Sequence, residues 1–105
     1  MERLKCFMKR PDSGWYATNI SCSLGNLQNI VGGYIEVVTL PELGVVIVCN
    51  EEGRLLDLPY NTTICDINFV GTIVVLGFEG DEFVPVAIPL KEWKAIMEVY
   101  EHAAR

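Results

Sequence analysis

Five consecutive residues, Val45-Val46-Ile47-Val48-Cys49, carry no charged or amide side chain, and this run constrains the fold more than any other feature. Side chains alternate between the two faces of a strand, so an unbroken apolar run needs cover on both. Tyr34 to Leu40 lies one turn upstream, across Pro41-Glu42-Leu43-Gly44, and reads as its partner. Its alternation puts Tyr34, Glu36 and Val38 on one face and Ile35, Val37 and Thr39 on the other. Two more strands are expected at Leu4 to Lys9 and Trp15 to Ile20, joined by the turn-forming Pro11-Asp12-Ser13-Gly14. Leu58-Pro59-Tyr60-Asn61 is expected to break regular structure, since proline cannot donate to a ladder; Val70 to Phe78 then reads as a second central strand and Phe83 to Val86 as a short one.

Two helices supply the cover. Leu24, Leu27, Ile30 and Val31 fall on one face of a two-turn helix, with Ser23 or Ser21 as its cap and Gly32 at its end. Pro89 to Ala103 makes a longer one, with Leu90, Trp93, Ile96, Met97 and Tyr100 as an apolar stripe. The expected fold class is therefore α+β: a mostly antiparallel twisted sheet of five to seven strands, with a short helix and a C-terminal amphipathic helix packed on it. Residues 1–105 form a single domain, because a chain of 105 residues, half of them apolar, supports one core.

The charge balance narrows the function. Eight Lys and Arg against fourteen Asp and Glu give a net charge of −6, which argues against nucleic-acid binding. The opening MERLKCFMKR has no apolar signal core, and no run is long enough to cross a bilayer, so no membrane association and a cytoplasmic location are expected. Cys6, Cys22, Cys49 and Cys65 are then free thiols, too widely spaced for a structural zinc site. No metal or other cofactor is expected. Catalysis is not expected either. The single histidine, His102, lies in the last turn of the final helix, where an imidazole commonly faces solvent. No nucleophile elbow, Walker or dinucleotide pattern occurs. Gly32-Gly33 offers backbone N–H groups to an anion, but a helix end followed by a strand start explains the pair better.

The segment from Asn50 to Asn61 holds the richest set of recognition groups. Asn50, Glu51 and Asn61 can read a base edge, Arg54 can meet a phosphate and Tyr60 can stack on a ring. The alternative is a plain hairpin, with Gly53 at positive φ and Asn61 bonded to its own loop. Tyr34 and Glu36 share a strand face and join the candidate ligand-binding set; Glu36 either meets water or is a partly buried acceptor. Trp15 and Tyr16, beside the first turn, are either core or an exposed anchor for a partner.

Three stretches together resemble a known family. Leu27 to Val38, Asn50-Glu51-Glu52-Gly53-Arg54-Leu55 with Leu58-Pro59-Tyr60-Asn61, and Val70-Gly71-Thr72-Ile73-Val74-Val75 are similar to motifs of domain of unknown function 3846. The resemblance covers about residues 24 to 97, and the first twenty residues depart from it. It implies a setting, an accessory gene of a phage or mobile element, and by analogy a role against host defence. The leading expectation is a non-catalytic binding module, a homo-oligomer that sequesters a nucleotide-derived signal, a small nucleotide-like ligand, in the host cell. The alternative is a protein-binding inhibitor that docks an acidic, aromatic face on a host defence enzyme.

Overall fold

The computed structural model describes residues 2–103, and the side chains of residues 2–100; the expectation for the His102 imidazole falls outside that described set. The opening hairpin forms as the turn chemistry predicts, from β1 (Arg3–Lys9) and β2 (Tyr16–Ser21), antiparallel with Cys6 opposite Thr18. The short helix α1 (Leu24–Val31) follows. Ser23 caps it by accepting the Asn26 N–H at 3.2 Å, and Gly32 ends it at φ 83°. Leu27 and Val31 are buried beneath it, whereas Leu24, expected on the same stripe, is 59% exposed on the first turn.

β3 (Ile35–Leu40) and β4 (Val45–Asn50) make the second hairpin, in register from Ile35 with Asn50 to Leu40 with Val45. Further along the chain, β7 (Ile73–Glu79) enters between the two hairpins and pairs with both β1 and β4. The sheet order is therefore β2-β1-β7-β4-β3, with β8 (Glu82–Val84) added to the end of β7, and every pairing is antiparallel. All six residues of β4 are buried, the placement its apolar run demands. α2 (Leu90–Ala103) closes the fold.

The alternation of β4 and β7 divides the core in two. Val46, Val48, Val74 and Leu76 pack with Leu27 and Val31 of α1 on one face. Val45, Ile47, Ile73 and Val75 pack on the other with Trp93 and Met97 of α2. On that side Trp93 meets Trp15 edge to face, ring centres 5.4 Å apart, and Phe7 at 5.6 Å. Such pairs add about 0.5–1.5 kcal/mol beyond the area they bury.

Two expectations are corrected here. Val70 to Phe78 is not one strand: Gly71 at φ 70° breaks it, and Val70 belongs instead to β6 (Ile67–Val70). β6 pairs with β5 (Tyr60–Ile64) in a separate two-stranded hairpin where the Leu58-Pro59-Tyr60-Asn61 stretch had suggested only a break in regular structure. Pro59 does stop the preceding loop, but it stands one residue before β5, where its missing N–H breaks no ladder, and its carbonyl accepts the Gly71 N–H at 2.8 Å. The hairpin turns at Cys65-Asp66, both left-handed at φ 51° and 64°. It joins α2 as the second cover on that face, with Ile64 and Phe69 in the shared core. No described helix is long and apolar enough to cross a membrane.

Candidate functional site

The chain from Glu51 to Asp57 is a compact series of turns at the end of the β3–β4 hairpin. Gly53 N–H bonds the Asn50 carbonyl at 3.2 Å, Leu56 N–H that of Glu52 at 2.9 Å, and Leu58 N–H that of Gly53 at 2.9 Å. Gly53 is buried here but not at positive φ, which corrects the expectation for it. Space requires it: a Cβ would sit 2.7 Å from Val70 Cγ2 and 3.4 Å from the Asn50 carbonyl oxygen.

A cleft of about 260 Å³ lies between this loop, the β3–β4 edge and β6. Glu36 and Val38 of β3, Cys49 and Asn50 of β4, Glu51, Arg54 and Leu55 of the loop, and Ile67 to Val70 of β6 line it. Of the seven candidate ligand-binding residues, four converge: Glu36, Asn50, Glu51 and Arg54. Glu36 is exposed, so its carboxylate meets water. Arg54 reaches across and donates from Nη2 to the Asn68 carbonyl at 3.1 Å. Cys49 at the cleft wall is 7% exposed, its Sγ donating to the Glu36 carbonyl at 3.7 Å. Burial, with the nearby Glu36 charge, pushes its thiol up to about 11, so it is protonated at neutral pH.

The two asparagines are corrected in role. Asn50 is 6% exposed; its Nδ2 donates to the Val31 carbonyl at 3.1 Å, and its Oδ1 accepts the Glu52 N–H at 2.8 Å. Each end of the amide makes one bond that ties the end of α1 to the loop, and burial withdraws the side chain from any ligand in the cleft. Asn61 is equally buried and bonds not its own turn but the Lys9 and Gly71 carbonyls, both at 2.8 Å. It sits at the irregularity in the β5–β6 register and joins that hairpin to the end of β1. Tyr60, 58% exposed, does not line the cleft; its hydroxyl pairs with Thr63 Oγ1 at 2.7 Å.

Tyr34 is also separated from Glu36. It precedes β3 and lines a wider, shallower hollow of about 780 Å³ on the α1 side, with Gln28, Asn29, Glu52 and Leu56. Gly32 and Gly33 border that hollow, but both their N–H groups bond the Gln28 carbonyl, at 2.8 and 3.0 Å, and neither is open to an anion. Trp15, set with Tyr16 as a partner anchor, is instead core at 7% exposure against Trp93. Tyr16 alone of that pair reaches the surface, at 37%.

Sequence reasoning passed over Leu55 and Leu56. They are 83% and 56% exposed, and they lean to opposite sides of the loop, Leu55 over the cleft and Leu56 over the hollow. Tyr34, 66% exposed, shares the hollow with Leu56. Glu36 and Glu51 line the cleft with Leu55, Glu52 lines the hollow with Leu56, and Asp57 follows Leu56 in the chain; all four are exposed. The available signal was two adjacent leucines between Gly53 and Pro59, in a stretch with neither strand nor helix period.

Fold and site together define a small α+β domain with an acidic, leucine-tipped loop at one end of its sheet. The chain belongs to the family described as Domain of unknown function (DUF3846), which matches residues 4–98. That match takes in the opening hairpin, so β1 and β2 are part of the family's pattern and not a departure from it. No curated protein and no solved structure matches the chain.

Proposed function

We propose that this chain is a non-catalytic protein-binding module that docks its Glu51–Asp57 loop on a basic partner surface. The observation that carries this reading is the adjacent pair Leu55 and Leu56, exposed on a loop held by its own hydrogen bonds, with Glu36 and Glu51 sharing the cleft of Leu55 and Glu52 the hollow of Leu56. Two leucines in water on an ordered loop are a contact waiting for a cover. An ordered loop also loses little conformational entropy on binding. The carboxylate rim favours a cationic partner and speeds its encounter. The setting implied by the family resemblance, a phage or mobile element acting in the host cytoplasm, makes a host defence enzyme the partner we propose. The non-catalytic part of the reading draws support from Cys49, whose thiol carries its proton at neutral pH and is a weak nucleophile.

Capture of a nucleotide-derived signal is less well supported. In the cleft Arg54 is the one cation among the lining residues, it is already bonded to Asn68, and Glu36 and Glu51 stand beside it. A phosphate there would meet two like charges for one opposite charge.

The test is quantitative affinity capture from host cells with the full chain and with Leu55→Ser/Leu56→Ser. A basic protein held in stoichiometric amount by the wild type, released by high salt and lost with the variant, supports the reading. A thermal shift of several degrees with a cyclic or linear nucleotide would overturn it in favour of capture. Multiple turnover of any metabolite would end the non-catalytic reading.

A further inference from the structure

β3 is the last strand of the sheet, and along its length one side is bonded to β4 while the other side pairs with no strand among the described residues. Which backbone groups face the open side follows from one hydrogen bond. Glu51 N–H bonds the Tyr34 carbonyl at 2.8 Å, a bond that brackets the facing residues Ile35 and Asn50 and makes them an unbonded pair of the antiparallel ladder. Bonded and unbonded pairs alternate. Glu36, Val38 and Leu40 therefore bond β4, and Ile35, Val37 and Thr39 direct their N–H and C=O groups outward. Proteins usually protect such an edge with lysine, proline, a bulge or a covering segment. β3 has no lysine, no proline and an uninterrupted register, and its one charge is Glu36.

The cleft adjoins this same edge. Glu36 and Val38 point to the α2 side and form one wall of it, with Glu51 beside them and β6 opposite. A strand added to β3 would place alternate side chains about 5 Å from those of Glu36 and Val38, over the mouth of the cleft. The side chains between them would lie against Ile35, Val37 and Thr39, two of which are β-branched aliphatics and one a threonine.

We propose that β3 accepts an extended segment of the partner protein as an additional antiparallel strand, with a lysine or arginine opposite Glu36 and β-branched residues at the flanking positions. This deepens the protein-binding reading and rests on it. Main-chain bonds to Ile35, Val37 and Thr39 supply affinity, and the cleft with its two carboxylates supplies selectivity. A second copy of this chain is a poorer occupant. Self-pairing would bring two chains of net charge −6 together along edges that each carry Glu36, with Glu51 close by.

The experiment pans a random eight-residue peptide library against the immobilised full chain, against Val37→Pro and against Glu36→Lys. Proline at 37 removes an N–H from the open side only, so the β3–β4 ladder survives, which amide hydrogen exchange verifies. The expected result is enrichment of β-prone peptides with a basic residue at alternate positions. Their affinity should fall at least about tenfold in Val37→Pro, and Glu36→Lys should turn the preference toward acidic residues. Peptides without a basic preference, equal binding by Val37→Pro, or no enrichment at all would overturn the proposal. So would sedimentation showing a dimer that Val37→Pro dissolves, because the edge would then belong to a second copy. Peptides lost in Leu55→Ser/Leu56→Ser but retained by Val37→Pro would sink the strand pairing and leave the loop-docking reading standing.

Discussion

The two faces of the sheet are covered in different ways, and the difference locates the site. On one face a single short helix, α1, is capped at both ends and pinned by Asn50, and the two hollows beside it are broad and open. The other face is covered by two separate pieces, α2 and the β5–β6 hairpin. Two pieces do not tile as one does. The space left between β6 and the β3 edge is the narrower cleft, and its walls bring together residues far apart in the chain.

The largest test of this contrast is in the core. Trp93→Ala removes the side chain on which Phe7 and Trp15 converge and should cost about 3–5 kcal/mol, read from urea unfolding. Leu27→Ala, its counterpart under α1, should cost about 2–3 kcal/mol. Equal losses would mean that the two covers contribute alike.

Alkaline pH separates the faces next. Cys49 on the α2 side is raised to about 11 and Cys6 on the α1 side to about 12, both chiefly by burial. Each is held above the 9.0 of an ordinary thiol, so between the two values the unfolded chain has shed a proton that the folded chain keeps. Stability is therefore intact below pH 9 and falls as pH rises through that window, by on the order of 3 kcal/mol for Cys49 and about 4 kcal/mol for Cys6. Cys49→Ala should flatten the fall between pH 9 and 11, and an unchanged slope would remove Cys49 from the account.

Smaller effects are expected at the loop. Asn50→Ala leaves the Val31 carbonyl and the Glu52 N–H without their partner and should cost about 2 kcal/mol, with faster hydrogen exchange confined to the end of α1 and residues 51–57. Gly53→Ala forces a methyl against Val70 and should cost about 1–2 kcal/mol, measured by the same unfolding series. If it proves neutral, β6 can yield, and the cleft is less rigid than its walls suggest.

Much of the frame could be read directly from the chain. The unbroken apolar run of β4 predicted a strand buried on both faces, and the stripe from Leu90 to Tyr100 predicted the helix over the Trp93 side. Ser23 and Gly32 marked both ends of α1. The β5–β6 hairpin was illegible for three local reasons. Pro59 mimics a terminator, Gly71 lies inside an apolar stretch that reads as continuous, and the Cys65-Asp66 turn lacks the usual Asn-Gly signature. The site was half legible. Glu36, Glu51 and Arg54 were singled out as candidate ligand-binding residues, and the structure brings them to one cleft. Asn50 and Asn61 were mistaken for readers because an amide that binds a ligand and one that ties two segments together look alike until the partner carbonyls are in place. Tyr34 left the set because the chain turns before β3 begins.

The corner at Cys65-Asp66 has a consequence for improving the molecule. Two side-chain-bearing residues there hold a backbone shape that glycine and asparagine adopt with less effort. Thermal robustness thus has unused headroom at Asp66, whose exchange for glycine would keep the 3.4 Å bond from Cys65 Sγ to Glu42 that ties this corner to the turn after β3.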